Sequence, residues 1–419
     1  MLTGLSLGLA MLVGLSILTQ LWGTSRFLRA IASYRAPVIE DRRLPQAAIV
    51  LSVRGCDTEL RECLTRLAQQ NYPRYSLHII VDHPSDPARA AVQAWRDENA
   101  LDNVHVEFLE SPSPHAYLKT SAIRQCVAKL NSEIEIACLV DADTMVHANW
   151  LRDLAAPLAE GDAGIVTGNR WYAPLQSTWG GILRCQYNAY CVIPMYFLKI
   201  VWGGSLAMHR AVFDTPFFDQ RMRDTCTEES AIRESATTQG LEIQCNPDVF
   251  LLNSTECSVA GCFQFVRRQL IWTRLYYPNW PHITLGVLGS YALLVATFWV
   301  MVCAAYHGNT PIALLDGAAL LAQIGFAQGI LELLHRRLSA RVVERGGESF
   351  PPIGWRQRTT SLLMWPIFLT FLLLAVLSAS CARRVRWRGI SYQILPPSRI
   401  RMVNYQPWAE VSNQQSPPS

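Results

Sequence analysis

Charge is scarce in this chain, and so is any ordered spacing of metal-binding side chains. Only 17% of its 419 residues are charged, 50% are hydrophobic, and the mean hydropathy is +0.13. That balance is too apolar for an ordinary soluble enzyme of this length and too charged for a chain buried wholly in membrane. The twelve cysteines include no Cys-x-x-Cys pair and no histidine partner, which argues against both a zinc site and a disulfide framework. His115, His147 and His209 show no ligand spacing and read as structural. No internal repeat is evident. No basic residue precedes the first apolar run, as a cleaved signal peptide would require; the first is Arg26. The net charge of +4 points to no partner by itself, and no nucleic acid is expected.

Long apolar runs are present instead. Residues 2–22, 283–306, 311–334 and 361–381 are candidate membrane segments, about 20 apolar residues being enough to cross a bilayer. The third carries Asp316, Gln323, Gln328 and Glu332 and is the weaker candidate, with an interfacial helix as the alternative. Arg26, Arg29, Arg35, Arg42 and Arg43 follow the first run, so the positive-inside rule puts the next domain in the cytoplasm. Arginines crowd the 335–360 loop and recur at 383–388. Both want the same face, yet one apolar run separates them. Either 361–381 is broken at Trp365-Pro366 and re-enters, or another run does not span.

Between the membrane parts the pattern alternates strand and helix. Gln46–Val53, Leu77–Asp82, Val104–Leu109 and Ile134–Val140 are apolar strand runs. Leu60, Cys63, Leu64 and Leu67 share one helical face behind Asp57 as cap; Asp86-Pro87 opens a second helix and Leu118–Leu130 forms a third. This order predicts an α/β fold with a mainly parallel sheet, its ligands bound at the carboxyl ends of the strands. Asp82, Asp86, Asp141 and Asp143 all fall at such ends. The expected organisation is an anchor over 1–34, a catalytic domain over 45–280, a membrane region with basic segments over 281–411, and a disordered tail over 412–419.

Asp141-Ala142-Asp143 sits at the end of the apolar run Ile134–Val140. Two carboxylates one residue apart form a hard anionic oxygen cluster suited to magnesium or manganese carrying a substrate diphosphate. Around it, Cys63-Leu-Thr-Arg-Leu-Ala-Gln-Gln-Asn-Tyr-Pro73, Ile80-Val-Asp-His-Pro-Ser-Asp86, Lys119-Thr-Ser-Ala-Ile123, Gly203-Gly-Ser-Leu-Ala-Met208, Thr227-Glu-Glu-Ser230 and Arg268-Gln-Leu-Ile-Trp272 stand in order. Together they resemble glycosyltransferase family 2, of GT-A fold, in the membrane branch akin to ceramide glucosyltransferase. Arg386-Trp-Arg-Gly-Ile-Ser-Tyr392 is similar to a segment of its glycolipid-forming members. Ile271 stands where the familiar motif has arginine, and Glu229 where aspartate is common.

The resemblance implies an inverting transfer of a hexose from a UDP-sugar to a membrane lipid, at the cytoplasmic face of an inner or plasma membrane. Asp143, with Asp141, would hold the divalent metal. Asp82, Asp86, Asp141 and Lys119 would bind the nucleotide-sugar, although Asp86 is also explained as a helix cap. Glu229 or Glu228 would be the base. Arg268, Gln269 and Trp272 would form the acceptor-side motif, although Trp272 also fits an interfacial aromatic belt. Gly168-Asn-Arg-Trp-Tyr172 and Trp202-Gly-Gly204 are expected to shape the acceptor cleft. A processive polysaccharide synthase and a degenerate assembly partner remain as alternatives.

Overall fold

In the computed structural model, which describes residues 2–161 and 163–408, seven strands form one sheet. They are β1 (Ala47–Val53), β2 (Tyr75–Val81), β3 (Val104–Phe108), β4 (Ile136–Val140), β5 (Ala163–Tyr172), β6 (Ser205–His209) and β7 (Glu242–Asn253), in the order β3-β2-β1-β4-β6-β5-β7. All neighbours run parallel except β6, which is antiparallel to β4 and β5. β4 is buried along its whole length, which is why its sequence shows an unbroken apolar run rather than alternation.

The helices are α1 (Leu2–Ser33), α2 (Leu60–Ala68), α3 (Pro87–Asn99), α4 (Leu118–Lys129), α5 (Trp150–Ala159), α6 (Trp179–Phe197), α7 (Arg210–Phe213), α8 (Pro216–Met222), α9 (Glu228–Thr238), α10 (Val259–Tyr276), α11 (Trp280–Tyr306), α12 (Thr310–Glu344) and α13 (Trp355–Ser380). Asp86 caps α3 as its sequence predicts, accepting from the Ala88 amide at 2.9 Å. Asp57 does not cap α2 through its side chain: the N-cap is Glu59, without a side-chain bond. The Asp57 carboxylate is engaged elsewhere. The expected tail over 412–419 lies outside the described residues.

Four helices, α1, α11, α12 and α13, are long and apolar enough to cross a membrane. The first three pack on one another as a bundle, where Ser6 of α1 donates to the buried Asp316 of α12 at 2.8 Å. The basic 335–360 stretch is not all loop. α12 continues to Glu344, and its end is bolted to the sheet domain by ion pairs of Arg341, in its last turn, with Asp248 and of Arg345, its C-cap, with Asp153.

α13 behaves differently. It is continuous through Pro366 rather than broken there, and it packs both against α11 and α12 of the bundle and along α6 and α10 of the sheet domain. Gln186 donates to the Ser361 carbonyl at 2.8 Å near its start, and Phe263 meets Phe371 edge-on in its middle. Arg267 holds Ser378 at 2.8 Å near its end. Arg274 donates to the carbonyls of Ala379 at 2.7 Å and Ala382 at 2.9 Å, satisfying terminal acceptors that a helix leaves open. Beyond it β8 (Arg384–Trp387), β9 (Ile390–Leu395) and β10 (Arg399–Asn404) form a small antiparallel sheet. That sheet returns to the main domain, where the Met402 amide donates to the Pro114 carbonyl at 2.7 Å.

Candidate active site

The carboxyl ends of β2, β1 and β4 lie side by side, and each delivers a polar residue. Asp82 follows β2, its side chain only 3% exposed. Burial raises its pKa, opposed by the Arg54 guanidinium with which it pairs. Its Oδ1 is left without a partner, and the Tyr405 hydroxyl stands 3.5 Å from Oδ2. Asp86 is occupied otherwise: its oxygens accept from the Ala88 amide and, at 3.0 and 3.1 Å, from the Gly55 amide. The helix cap and the Gly55 amide together engage both of its oxygens.

Asp141 follows β4 and meets Lys119 of α4 at 2.6 Å. Burial alone would lift its pKa, but Lys119 and Arg170 outweigh burial and hold it below the ordinary value. Asp143 is a different group. Burial first, and the Asp141 charge second, push its pKa up, and its carboxylate makes no hydrogen bond among the described residues. No cluster of three metal-binding side chains occurs among those residues. A divalent ion would therefore rest on Asp143 and Asp141 and complete its shell from substrate phosphates and water, as magnesium commonly does. An undercompensated carboxylate beside a second one fits that cation.

Lys119 bridges the two halves of the site. Its Nζ lies 2.6 Å from Asp141 and 2.6 Å from Glu228, and 3.4 Å from the Gly203 carbonyl. Burial works against its charge, yet Asp141, Glu228 and Glu229 together raise its pKa. The two glutamates thereby take different roles. Glu228 is the buried counter-ion of Lys119. Glu229 is half-buried and accepts from the Gly203 amide at 3.1 Å; burial, then the Glu228 charge, raise its pKa to about 7. Gly203 is required by this approach, since a Cβ there would fall 2.5 Å from Glu228 Oε1. Thr227 caps α9 and so fixes where both glutamates start. A carboxylate poised near neutrality is suited to general base work.

The acceptor-side motif splits. Ile271 is fully buried in the apolar core shared by α10 and α13, so position 271 faces packing and not the site. Arg274, the nearest other cation along the chain, caps α13. Gln269 lies half-buried on α10, and Trp272 donates to the Tyr117 hydroxyl at 3.4 Å, one residue before α4. Arg268 sits among the rings of Phe265, Trp272 and Trp387, 5.4 to 5.9 Å from each centroid. Burial lowers its pKa to about 10.

Three contributors were missed or misplaced by sequence reasoning. Arg170 was read only as part of the acceptor cleft, but it lies 3.8 Å from Asp141 and stacks on Trp202 at 4.5 Å. Arg54 showed no local signal. Arg388 grips Asp57 at 2.8 and 2.5 Å; the Trp-Arg-Gly segment flagged it, without locating it over β1.

The family model for Glycosyl transferase family 21 matches residues 8–400, so the family is 21 rather than the family 2 suggested by the motifs. No curated protein matches. Among solved structures, mannosyltransferase PcManGT from Pyrobaculum calidifontis, in complex with GDP-Man and Mn2+, is similar at TM-score 0.54 and 16% identity, over 91% of this chain and 99% of that one. Glucosyl-3-phosphoglycerate synthase from Mycobacterium tuberculosis gives TM-score 0.38 and 12% identity over 57% and 85%. S. aureus TarS 1–349 in complex with UDP-GlcNAc gives 0.36 and 11% over 86% and 100%. The first likeness is one of fold, and it is the GT-A arrangement.

Proposed function

We propose that this chain, which belongs to glycosyl transferase family 21, moves one hexose from a UDP-sugar to the hydroxyl of a membrane lipid, with inversion. The observation that supports this most is where the Glu229 segment sits. The Cys226 amide, three residues ahead of it, donates to the Tyr276 hydroxyl at 3.0 Å. Tyr276 ends α10, four residues before the apolar helix α11 begins. A base at that position meets an acceptor arriving from the bilayer.

In this reading the lipid oxygen attacks the anomeric carbon, and its proton passes to Glu229. The bond from that carbon to the diphosphate breaks, its electron pair leaving with the diphosphate. A divalent ion held by Asp143 and Asp141 would supply charge neutralisation to the leaving group. Lys119 keeps Asp141 ionised and holds Glu228 in an ion pair, leaving Glu229 as the carboxylate without a cation partner of its own among the described residues. Asp82, whose buried Oδ1 has no partner among the described residues, is the acceptor for a nucleobase N–H. Gln269 and Trp272 border the path of the acceptor. The test is lipid dependence: purified protein should transfer labelled hexose only when a hydroxyl-bearing lipid is supplied. Equal turnover without lipid would refute the acceptor class.

The same reading assigns topology. α1, α11 and α12 cross the bilayer, and α13, which packs on α11 and α12 but also touches the catalytic domain at both ends and in its middle, lies at the bilayer surface under that domain. The domain and the Arg386–Tyr392 segment then share the cytoplasmic face. In a cysteine-depleted background, single cysteines at Ser349 and Ser398 should resist an impermeant reagent in intact cells, while one at His307, in the α11–α12 turn, should react. Labelling at Ser398 from outside would make α13 a fourth crossing and overturn the assignment.

A further inference from the structure

The turn between β8 and β9 consists of Arg388 and Gly389, at φ 47° and 79°, with Trp387 paired to Ile390 across it. A two-residue turn of this hand favours Asn or Gly at its first position, because a Cβ is crowded there. An arginine held in that conformation is a local strain that the rest of the structure sustains. Its side chain turns inward and grips Asp57 with both terminal guanidinium nitrogens, Nη1 and Nη2, above the carboxyl end of β1. Since β1 lies between β2 and β4, the turn overhangs the crevice into which Asp82 and Asp141 project.

The hairpin is fastened in place. Arg54 donates to the Arg388 carbonyl at 3.0 Å and to the Gln406 carbonyl at 2.7 Å, and Trp387 stacks on Tyr117 at 5.5 Å. Two more guanidinium groups approach the same space. Arg170 lies 3.8 Å from Asp141. Arg268 has neither hydrogen bond nor ion pair among the described residues; its Nε is buried without a partner, and it stands 5.8 Å from the Trp387 ring. Guanidinium groups gathered with one of them unpaired repel each other until an anion joins them.

We propose that Arg388, backed by Arg268, binds the diphosphate of the sugar donor, and that Asp57 holds the guanidinium in position until the diphosphate takes it over. This rests on the donor being a nucleoside-diphosphate sugar. The planar fork that grips a carboxylate at two points grips a phosphate in the same way. Negative charge accumulates on the diphosphate as the bond to the sugar breaks, and a fixed cation there stabilises it. With Ile271 buried in the apolar core, α10 offers no cation at that position; the other end of the chain delivers one.

The experiment compares binding of nucleosides with binding of their diphosphates by the full-length protein in detergent micelles with Mn2+, using uridine and guanosine series. Arg388→Gln should weaken the diphosphate about ten- to a hundredfold, the span expected for a charge-assisted contact, and leave nucleoside binding alone. Arg388→Lys should recover part of the loss. Asp57→Asn should bind the diphosphate as tightly as the parent or more tightly, because it frees the guanidinium. The proposal is overturned if Arg388→Gln keeps the parental ratio of diphosphate to nucleoside affinity, if it loses both ligands equally, or if Asp57→Asn loses as much as Arg388→Gln. A parent protein that binds neither diphosphate sinks the donor reading itself, and this inference with it.

Discussion

Glu229→Gln should lower the transfer rate by about a hundredfold or more, the usual contribution of a positioned base, while donor binding stays near the parental value. The proposed donor contacts come from the ends of β2 and β4 and from the Arg388 turn, whereas Glu229 comes from α9 on the far side of Lys119. The pH dependence makes the assignment sharper. A base works only when ionised, and burial together with Glu228 raises the Glu229 pKa to about 7. The parental kcat/KM should therefore climb about tenfold per pH unit below that value and level off above it. Glu228→Gln removes a repelling charge, so its rising limb should shift to lower pH, with a milder loss of rate. Near-full activity in Glu229→Gln, or an unmoved limb in Glu228→Gln, would place the base elsewhere.

Asp143→Asn should cost several kcal/mol of transition-state stabilisation, or at least about a hundredfold in rate, if a divalent ion rests on this carboxylate. Its stability should change in the opposite sense. The folded-state pKa of Asp143 is raised by burial and by Asp141, so its stabilising contribution belongs to low pH and is lost as pH rises through the raised value. At neutral pH the ionised group burdens the metal-free fold, and the asparagine variant should melt no lower than the parent. Mn2+ should raise the parental melting temperature, as any ligand of the native state does, and should do so far less in the variant. Full turnover in Asp143→Asn or under a chelator would remove the metal from the account.

Local chemistry made much of this architecture legible. The unbroken apolar run of β4 announced a fully buried strand, and Asp86-Pro87 announced the start of α3. Asp141 and Asp143 stand out in the sequence because they follow an apolar strand, whose carboxyl end is where an α/β sheet binds ligands. What the sequence hid is long-range. Asp57 looked like a helix cap because its partner, Arg388, lies 331 residues away. Length and apolarity alone made 361–381 a crossing candidate; its contacts with α6 and α10 depend on how those helices fold. α12 outran its apolar stretch because Asp153 and Asp248, on α5 and β7, supply partners for its arginines. Glu228 and Glu229 were adjacent letters with equal claims until Lys119 took one of them.

The mass of the product tests the central claim most directly. Purified protein in a lipid bilayer, given Mn2+ and a panel of UDP-hexoses, should form a solvent-extractable product heavier than the acceptor lipid by one hexose, and no longer species as the reaction proceeds. A ladder of hexoses or an insoluble polymer would make the enzyme a processive synthase, and no product with any donor would contradict the account altogether.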